Sequence, residues 1–181
     1  MFADGEIALR PLVPDDLPAR YAWRIDTQTH LISDSRPLLP ITWERFVEHQ
    51  SGRVKSPDHE DFTITRGGQQ VGYCQLVLYD NLARSAMLGI SLAPDARGQH
   101  IGRRACELLL DHAFRDRGLH RVWLGTSSIN EAGQRAYRAA GFIEETRERE
   151  RSWVDGRYVD EIRMGILRRE WEARRGEHAQ G

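Results

Sequence analysis

The sequence predicts a single α+β domain built on a mixed β-sheet, and three observations support this class. The chain has 181 residues, the size of one ordinary domain. Hydrophobic residues make up 40% and charged residues 29%, which is typical of a protein that folds around a buried core. Segments with the period of strands alternate with segments of helical period, without an internal repeat. We expect about seven strands in the sheet, flanked by about four helices.

The first half of the chain contains one strand, two helices and three further strands. Residues 6–12 alternate in hydropathy and meet two prolines, which predicts a short strand and a turn. Apolar residues at helical spacing predict one helix after Asp15 and a second capped by Thr42. Residues 62–65 and 70–79 flank a Gly-Gly turn and predict a hairpin, and a third strand follows at 86–92. The loop 30–41 between the helices follows neither period and is a candidate lid.

The second half adds the strongest helix and the end of the sheet. An apolar stripe predicts a helix from Gly102 to about Arg117, ended by Gly118. A strand at 122–126, a helix at 130–140 and two strands on either side of an Asp-Gly turn follow. Residues 174–181 are polar enough to form a flexible tail, so we place the domain at residues 1–173.

Charge and cysteine content exclude several classes of function. The net charge of −1 disfavours nucleic-acid binding, which needs a segregated basic face. Cys74 and Cys106 each lie among apolar residues, which predicts two buried free thiols and no metal site. The first residues lack the pattern of a secretory signal, and no apolar run approaches the roughly 20 residues of a membrane span. These features predict a cytoplasmic protein that does not associate with a membrane.

A candidate anion site lies between the strand 86–92 and the long helix. Residues 94–103 read PDARGQHIGR. A loop containing glycine that leads into a helix exposes unpaired N–H groups, and the helix dipole adds a positive potential. The segment is neither a Walker A loop nor a dinucleotide fingerprint. Taken alone, it is equally consistent with an ordinary turn.

The same segment resembles the Arg/Gln-x-x-Gly-x-Gly/Ala motif of the GNAT superfamily of N-acetyltransferases. Arg97 and Gly102 match the motif, whereas His100 occupies the place of its first glycine. Residues 130–142, NEAGQRAYRAAGF, resemble the second signature of the family. The hairpin at 153–158 and residues 162–164 are similar to the spermidine and ribosomal-protein-alanine acetyltransferase branch.

The resemblance implies that acetyl-CoA is the co-substrate and that no metal takes part. It implies that loop amides bind the pyrophosphate and that main-chain amides of a splayed strand bind the pantetheine arm and thioester oxygen. It implies that Tyr137 protonates the coenzyme A thiolate, with Asn130 near the cofactor as well as capping its helix. Histidine tolerates unusual φ angles, so we expect His100 to retain binding, and its imidazole can assist the phosphates. The implied cofactor residues are Ile90, Ser91, Leu92, Arg97, Gly98, Gln99, His100, Ile101, Gly102, Arg103 and Asn130.

A general base and the acceptor are not identified by the sequence. The strand 86–92 carries no carboxylate, so a water relay is a reasonable route for the amine proton. Asp160, His30 and Asp34 are further candidates for the general base, although a structural role explains each of them better. The resemblance places the acceptor between the loop 30–41 and the hairpin 153–158.

Three classes of function follow from these observations. The first is an N-acetyltransferase acting on a primary amine of a small molecule or of a protein N-terminus. The second is a non-catalytic acyl-CoA-binding or sensing domain, suggested by His100 and by the missing strand carboxylate. The third, an arginine-rich nucleic-acid binder, is disfavoured by the interleaved charges. Assembly into a homodimer stays open.

Overall fold

The computed structural model describes residues 2–27, 40–54, 56 and 58–178. It confirms the predicted α+β class, with one mixed sheet of eight strands. The strands are β1 Phe2–Asp4, β2 Ile7–Pro11, β3 His59–Arg66, β4 Gln69–Asp80, β5 Ser85–Leu92, β6 Arg121–Ser127, β7 Ile143–Val154 and β8 Arg157–Leu167. The α-helices of these described ranges are α1 Leu17–Ile25, α2 Trp43–Val54, α3 Ile101–Asp111, α4 Glu131–Ala140 and α5 Arg168–His178.

The strand order is β1-β2-β3-β4-β5-β6-β8-β7, and the central pair decides the shape of the molecule. Every neighbouring pair is antiparallel except β5 and β6, which run parallel and are connected through α3. Their pairing covers only three positions, from Ser85 with Arg121 to Met87 with Trp123. Both strands continue, β5 along β4 and β6 along β8. The sheet therefore opens into a wedge, as the resemblance implied.

The two faces of the sheet differ in chemistry because side chains alternate along each strand. Phe62, Ile64, Cys74 and Leu76 point to one face and form the core with buried residues of α3. The intervening residues of β3 and β4, such as Asp61, point to the other face. Side chains of α1 and α2 contact this second face. The sheet thus has an apolar face, which packs against α3, and a polar face, which contacts α1 and α2.

The long predicted helix changes form before its end. The α-helix ends at Asp111 and continues as a π-helical turn, His112–Asp116, before Gly118. His112 is buried in this turn between two carboxylates: its Nδ1 lies 2.9 Å from Asp116 and its Nε2 lies 2.7 Å from Glu60. A buried histidine with two partners explains the local change, since periodicity alone predicts a uniform helix.

Further differences lie at the chain ends. Strand β1 is three residues long, too short for a periodic signal, and it was not predicted. Helix α5 includes residues 174–178, part of the expected tail. Of the predicted lid, residues 30–39 lie outside the described residues. Over the residues described, no helix is both long and apolar enough to cross a membrane.

The two cysteines are free and buried, as predicted. Burial raises the pKa of the Cys106 thiol to about 12, with Glu107 adding to the shift. Burial likewise raises the pKa of Cys74 well above its usual range. Both thiols therefore stay protonated and act as small packing groups.

Candidate active site

The wedge is lined on one side by the main chain of β5. The Ala93 N–H donates to Val71 O over 2.9 Å, continuing a regular ladder in which Ile90 faces Cys74. In an antiparallel ladder, alternate residues turn their N–H and C=O groups away from the partner strand. Leu92 and Ile90 therefore direct these groups away from β4, into the wedge that β6 leaves open. The N–H groups of Ile90 and Leu92 thus lie outside the ladder with β4, and their role as an oxyanion site stays a prediction.

Gly72 allows β5 to lie this close to β4 at the open end of the wedge. A Cβ at this position would stand 2.5 Å from Ser91 O and 2.8 Å from Leu92 Cδ2. No side chain fits there without moving β5, because the nearest atom belongs to the backbone. The position of the Leu92 peptide thus depends on a glycine that neither family motif contains.

The loop after β5 presents a row of amides at the start of α3. Gly98 (φ +72°) and His100 (φ +59°) both adopt the left-handed conformation, and His100 caps the helix. The first helical hydrogen bond runs from Arg104 N to His100 O, 3.2 Å. The N–H groups of the preceding helical residues, 101–103, have no acceptor within the helix. Together with the helix dipole, these groups form a site for an anion.

Side chains of the loop maintain its shape. The Arg97 guanidinium donates to Leu92 O over 3.1 Å and 3.3 Å, which ties the loop to the end of β5. Burial lowers the pKa of Arg97, partly offset by Asp26. Gln99 donates to Asp95 O (2.6 Å) and accepts from Arg66 (2.5 Å). Arg97 and Gln99 thus bind the protein itself and stabilise the loop that carries the main-chain donors.

Helix α4 is attached to the end of β6 through its cap. Asn130 Oδ1 accepts from Gly133 N (3.0 Å), and Asn130 Nδ2 donates to Thr126 Oγ1 (3.1 Å). Gln134 is buried and donates to the carbonyl of Ser127 (3.2 Å). Asn130 is therefore the N-cap that its position predicts, and its contact with a cofactor stays a prediction.

Tyr137 lies on the buried side of α4, with its ring edge against Phe142 at a centroid distance of 6.1 Å. Burial raises the pKa of its phenol, and nearby Cys106 adds to the shift, so the hydroxyl stays protonated at neutral pH. Buried tyrosines usually hydrogen-bond through the hydroxyl. Within the described part of the chain, the Tyr137 hydroxyl makes no hydrogen bond. Its oxygen is nevertheless not fully buried, so another molecule can reach it. Its proton is available to a ligand.

The candidate bases are not gathered at the wedge. Asp160 lies on the β7–β8 hairpin, where it accepts from Glu150 N (3.0 Å) and pairs with Arg147 (3.4 Å). The hydrogen bond from Glu150 N is the main reason that the pKa of Asp160 is lowered. Asp160 is thus engaged in hairpin structure, which favours the structural explanation. His30 and Asp34 lie outside the described residues.

A polar network on the second face of the sheet was missed by the sequence reasoning. Arg20, only 2% exposed, donates to Asp61 Oδ1 over 2.5 Å and lies 4.0 Å from the Tyr73 ring centroid. His59 Nε2 lies 2.7 Å from Asp61 Oδ2. Burial by itself would raise the pKa of Asp61, but His59 and Arg20, with Arg53 nearby, lower it to about 2. The carboxylate is therefore ionised and paired with Arg20.

Comparisons with known proteins identify the family of this chain. The family model described as "Acetyltransferase (GNAT) domain" matches residues 6–143. The spermidine N(1)-acetyltransferase of Escherichia coli K12 is 26% identical over 170 residues, covering 92% of this chain and 89% of that protein. The putative ribosomal N-acetyltransferase YdaF of Bacillus subtilis is 31% identical over 105 residues, covering 58% and 57%.

The fold also matches solved structures. A Vibrio cholerae spermidine N-acetyltransferase in complex with CoA and spermine superposes with a TM-score of 0.86 at 23% identity, covering 92% of this chain and 98% of that one. At this identity the likeness shows the fold. The match of the family model over most of the chain shows more: the chain belongs to the GNAT family and is an N-acetyltransferase, which transfers an acetyl group to an amine.

Proposed function

We propose that this enzyme transfers the acetyl group of acetyl-CoA directly to a primary amine within a ternary complex. The observation that carries the proposal is that two sets of main-chain donors lie close in the chain, one at Ile90 and Leu92 in the wedge and one at residues 98–103 at the start of α3. The pyrophosphate is assigned to the amides at the helix start. The pantetheine arm lies along β5, and the thioester oxygen accepts from the main chain near Ile90.

The chemistry requires a neutral amine, a polarised carbonyl and a proton for the leaving thiolate. About one amine in a thousand is neutral at pH 7, so water must carry away the ammonium proton before attack. The amine nitrogen forms a bond to the carbonyl carbon, and the oxygen gains negative charge opposite the β5 amides. As the intermediate collapses, the C–S bond breaks, the Tyr137 hydroxyl donates its proton to sulfur, and the positively charged nitrogen releases one proton to water to give the neutral amide. Solvent then returns a proton to Tyr137.

A domain that binds acyl-CoA without catalysis is the second candidate. It is supported by the exposed side chain of His100 in the loop and by the lack of a carboxylate on β5. Calorimetry with acetyl-CoA, together with thiol release across an amine panel, separates the two functions. We expect binding and turnover. Binding without thiol release for any amine would favour the second candidate, and no binding would exclude both.

The acceptor is assigned to the side of the sheet opposite the core, beneath α1 and α2. The other side of the wedge is occupied by α3 and α4, which pack against each other. The tip of the β7–β8 hairpin, where Trp153 and Tyr158 are exposed and pack edge to face at 4.8 Å, borders this side in the family fold. Hydrogen exchange in the hairpin should slow when an acceptor that is turned over binds. Unchanged exchange in the hairpin and in residues 30–41 would place the acceptor elsewhere.

A further inference from the structure

A carboxylate lies on the acceptor side of the wedge, although β5 itself carries none. Ile162 and Met164 of β8 belong to the core, so Glu161, which alternates with them, points to the opposite face of the sheet. This is the face that α1 and α2 contact and to which the acceptor is assigned. Glu161 is partly buried there, and its backbone lies opposite Ser127 of β6.

The Glu161 side chain extends across β6 and covers Gly125. A Cβ placed on Gly125 would stand 2.8 Å from Glu161 Oε1 and 3.6 Å from Glu161 Cδ, so the carboxylate occupies the place of a side chain on β6. Gly125 lies two residues beyond Trp123, the last residue of β6 that pairs with β5. By the register of the paired positions, the corresponding residue of β5 is Gly89, and Ile90 follows it. The carboxylate therefore lies at the edge of the wedge, at the level proposed for the thioester.

Two other carboxylates on this face lie farther from the wedge. Asp61 belongs to β3, which β4 separates from β5, and it pairs with Arg20 at 2.5 Å. Glu148 belongs to β7, directly opposite Glu161, and it pairs with Arg163 at 2.7 Å. Glu148 and Arg163, which shares the face of Glu161 on β8, are the charged groups beside Glu161 on the neighbouring positions of the sheet. Of the three carboxylates, Glu161 is the one that lies against a strand lining the wedge.

We infer that Glu161 is the catalytic base that removes a proton from the acceptor ammonium. The inference rests on the proposed function for the positions of the thioester and of the incoming amine. One N–H bond of the ammonium breaks, its proton moves to a carboxylate oxygen of Glu161 and then to solvent, and the freed lone pair of the nitrogen attacks the carbonyl carbon. Glu161 also interacts within the protein, but a carboxylate offers about four acceptor sites, so an ammonium can bind as well.

Glu161→Gln removes the base and keeps the size of the side chain. Thiol release from acetyl-CoA is measured from about pH 7 to about pH 10, with 1,5-diaminopentane and with a peptide that begins with alanine as acceptors. We expect kcat/KM to fall on the order of 10²-fold at neutral pH. The loss should shrink as pH approaches the pKa of the amine, about 10 for the alkylamine and about 8 for the peptide, because the neutral amine then forms without a base. No loss, or a loss that is equal at every pH, would overturn the inference.

Two further variants separate the base from a structural contact. Glu148→Gln is the matched control, because Glu148 lies on the same face one strand farther from the wedge, and it should keep wild-type turnover. Gly125→Ala adds a Cβ that displaces the Glu161 carboxylate from β6 and keeps its charge, so we expect kcat to fall by at least about tenfold. Acetyl-CoA affinity and melting temperature should stay close to wild type in all three variants.

The outcomes distinguish this inference from the proposed function. If Glu161→Gln does not fold, unchanged turnover in Gly125→Ala would contradict the role of Glu161. A wild type that binds acetyl-CoA but turns over no amine would remove the proposed function and, with it, the reaction that needs a base. Wild-type turnover that Glu161→Gln leaves intact would remove this inference alone.

Discussion

The two sides of β5 present different kinds of chemical group. On the cofactor side, the groups aimed at a ligand are main-chain amides of the strand and of the α3 start, and loop side chains such as Arg97 hydrogen-bond to the protein. On the acceptor side, the polar groups belong to side chains of α1, α2, β3 and β4, which hydrogen-bond to one another over the sheet. The first side is proposed to bind acetyl-CoA through main-chain groups, whereas the second side can change its charge by side-chain substitution. Changes on the two sides should therefore separate cofactor affinity from acceptor choice.

The largest effect is expected from Asp61→Asn on the acceptor side. Removing the Asp61 charge leaves the buried Arg20 guanidinium without a countercharge. We expect this to lower the unfolding free energy by about 3 to 5 kcal/mol. Denaturant titration measures the loss, and acetyl-CoA affinity per folded molecule should not change. Glu6→Gln is the control, because Glu6 pairs with Arg66 at the surface and contributes less than about 1 kcal/mol. A loss below about 1 kcal/mol for Asp61→Asn would mean that water screens the pair.

The same ion pair makes the unfolding free energy depend on pH in the acidic range. The pKa of Asp61 is lowered to about 2 in the folded protein, while an unfolded aspartate titrates near about 3.9. A lowered folded pKa contributes stability that is present above the unfolded value and is lost as pH falls toward the folded one. The difference in unfolding free energy between wild type and Asp61→Asn should therefore shrink between about pH 5 and pH 3. A difference that stays constant over this range would contradict the ionised state of Asp61.

Tyr137→Phe tests the one side chain that the cofactor side is proposed to need. We expect kcat to fall by on the order of 10²-fold, with acetyl-CoA affinity and melting temperature close to those of the wild type. The effect is moderate because a CoA thiolate, with a pKa near about 8.5, can leave unaided. Steady-state and single-turnover rates of thiol release provide the measurement.

Tyr79→Phe provides the opposite pattern for comparison. The Tyr79 hydroxyl donates to Glu60 over 2.5 Å, away from the wedge, so its removal should lower the melting temperature and leave kcat near normal. If Tyr137→Phe behaved like Tyr79→Phe, Tyr137 would be structural. Equal kcat for Tyr137→Phe and wild type, with chemistry shown to limit the rate, would exclude the proposed acid.

A smaller effect is expected from His112, in the π-helical turn that follows α3 and far from the loop before α3. Burial lowers its pKa, but hydrogen bonds and charge from Glu60 and Asp116 outweigh burial and leave the pKa raised. A raised folded pKa contributes stability below the unfolded value, which is lost as pH rises through the folded one. His112→Gln should thus be less stable than wild type by about 1 to 2 kcal/mol near pH 6, and the difference should narrow toward pH 9. Acetyl-CoA affinity should stay constant, and a widening difference would reverse the assigned direction.

The same contrast explains how much the sequence could predict. The element order, the anion loop and the cap at Asn130 follow from local patterns, because glycine positions, caps and hydropathy period are encoded over a few residues. The acceptor-side network joins Arg20 to Asp61 across 41 positions and Arg53 to Gln75 across 22. Charged residues at such spacing look like the exposed faces of amphipathic elements. Only the register of β3 with β4, and the packing of α1 and α2 on that face, bring them together.

The smallest effect, and the most direct test of a main-chain site, is expected from His100→Gly. His100 has φ +59° at the cap of α3, so glycine relieves conformational strain while leaving every amide of the loop in place. Its greater freedom in the unfolded chain offsets part of the gain, so unfolding free energy should change by less than about 1 kcal/mol. Acetyl-CoA affinity, measured by calorimetry, should be similar or tighter. Gly98→Ala is the matched control: it adds a side chain at φ +72° with no atom within 4 Å, so strain alone should weaken binding. A tenfold loss of affinity in His100→Gly would instead show that the imidazole itself holds the phosphates, and the cofactor side would then rely on side-chain chemistry as the acceptor side does.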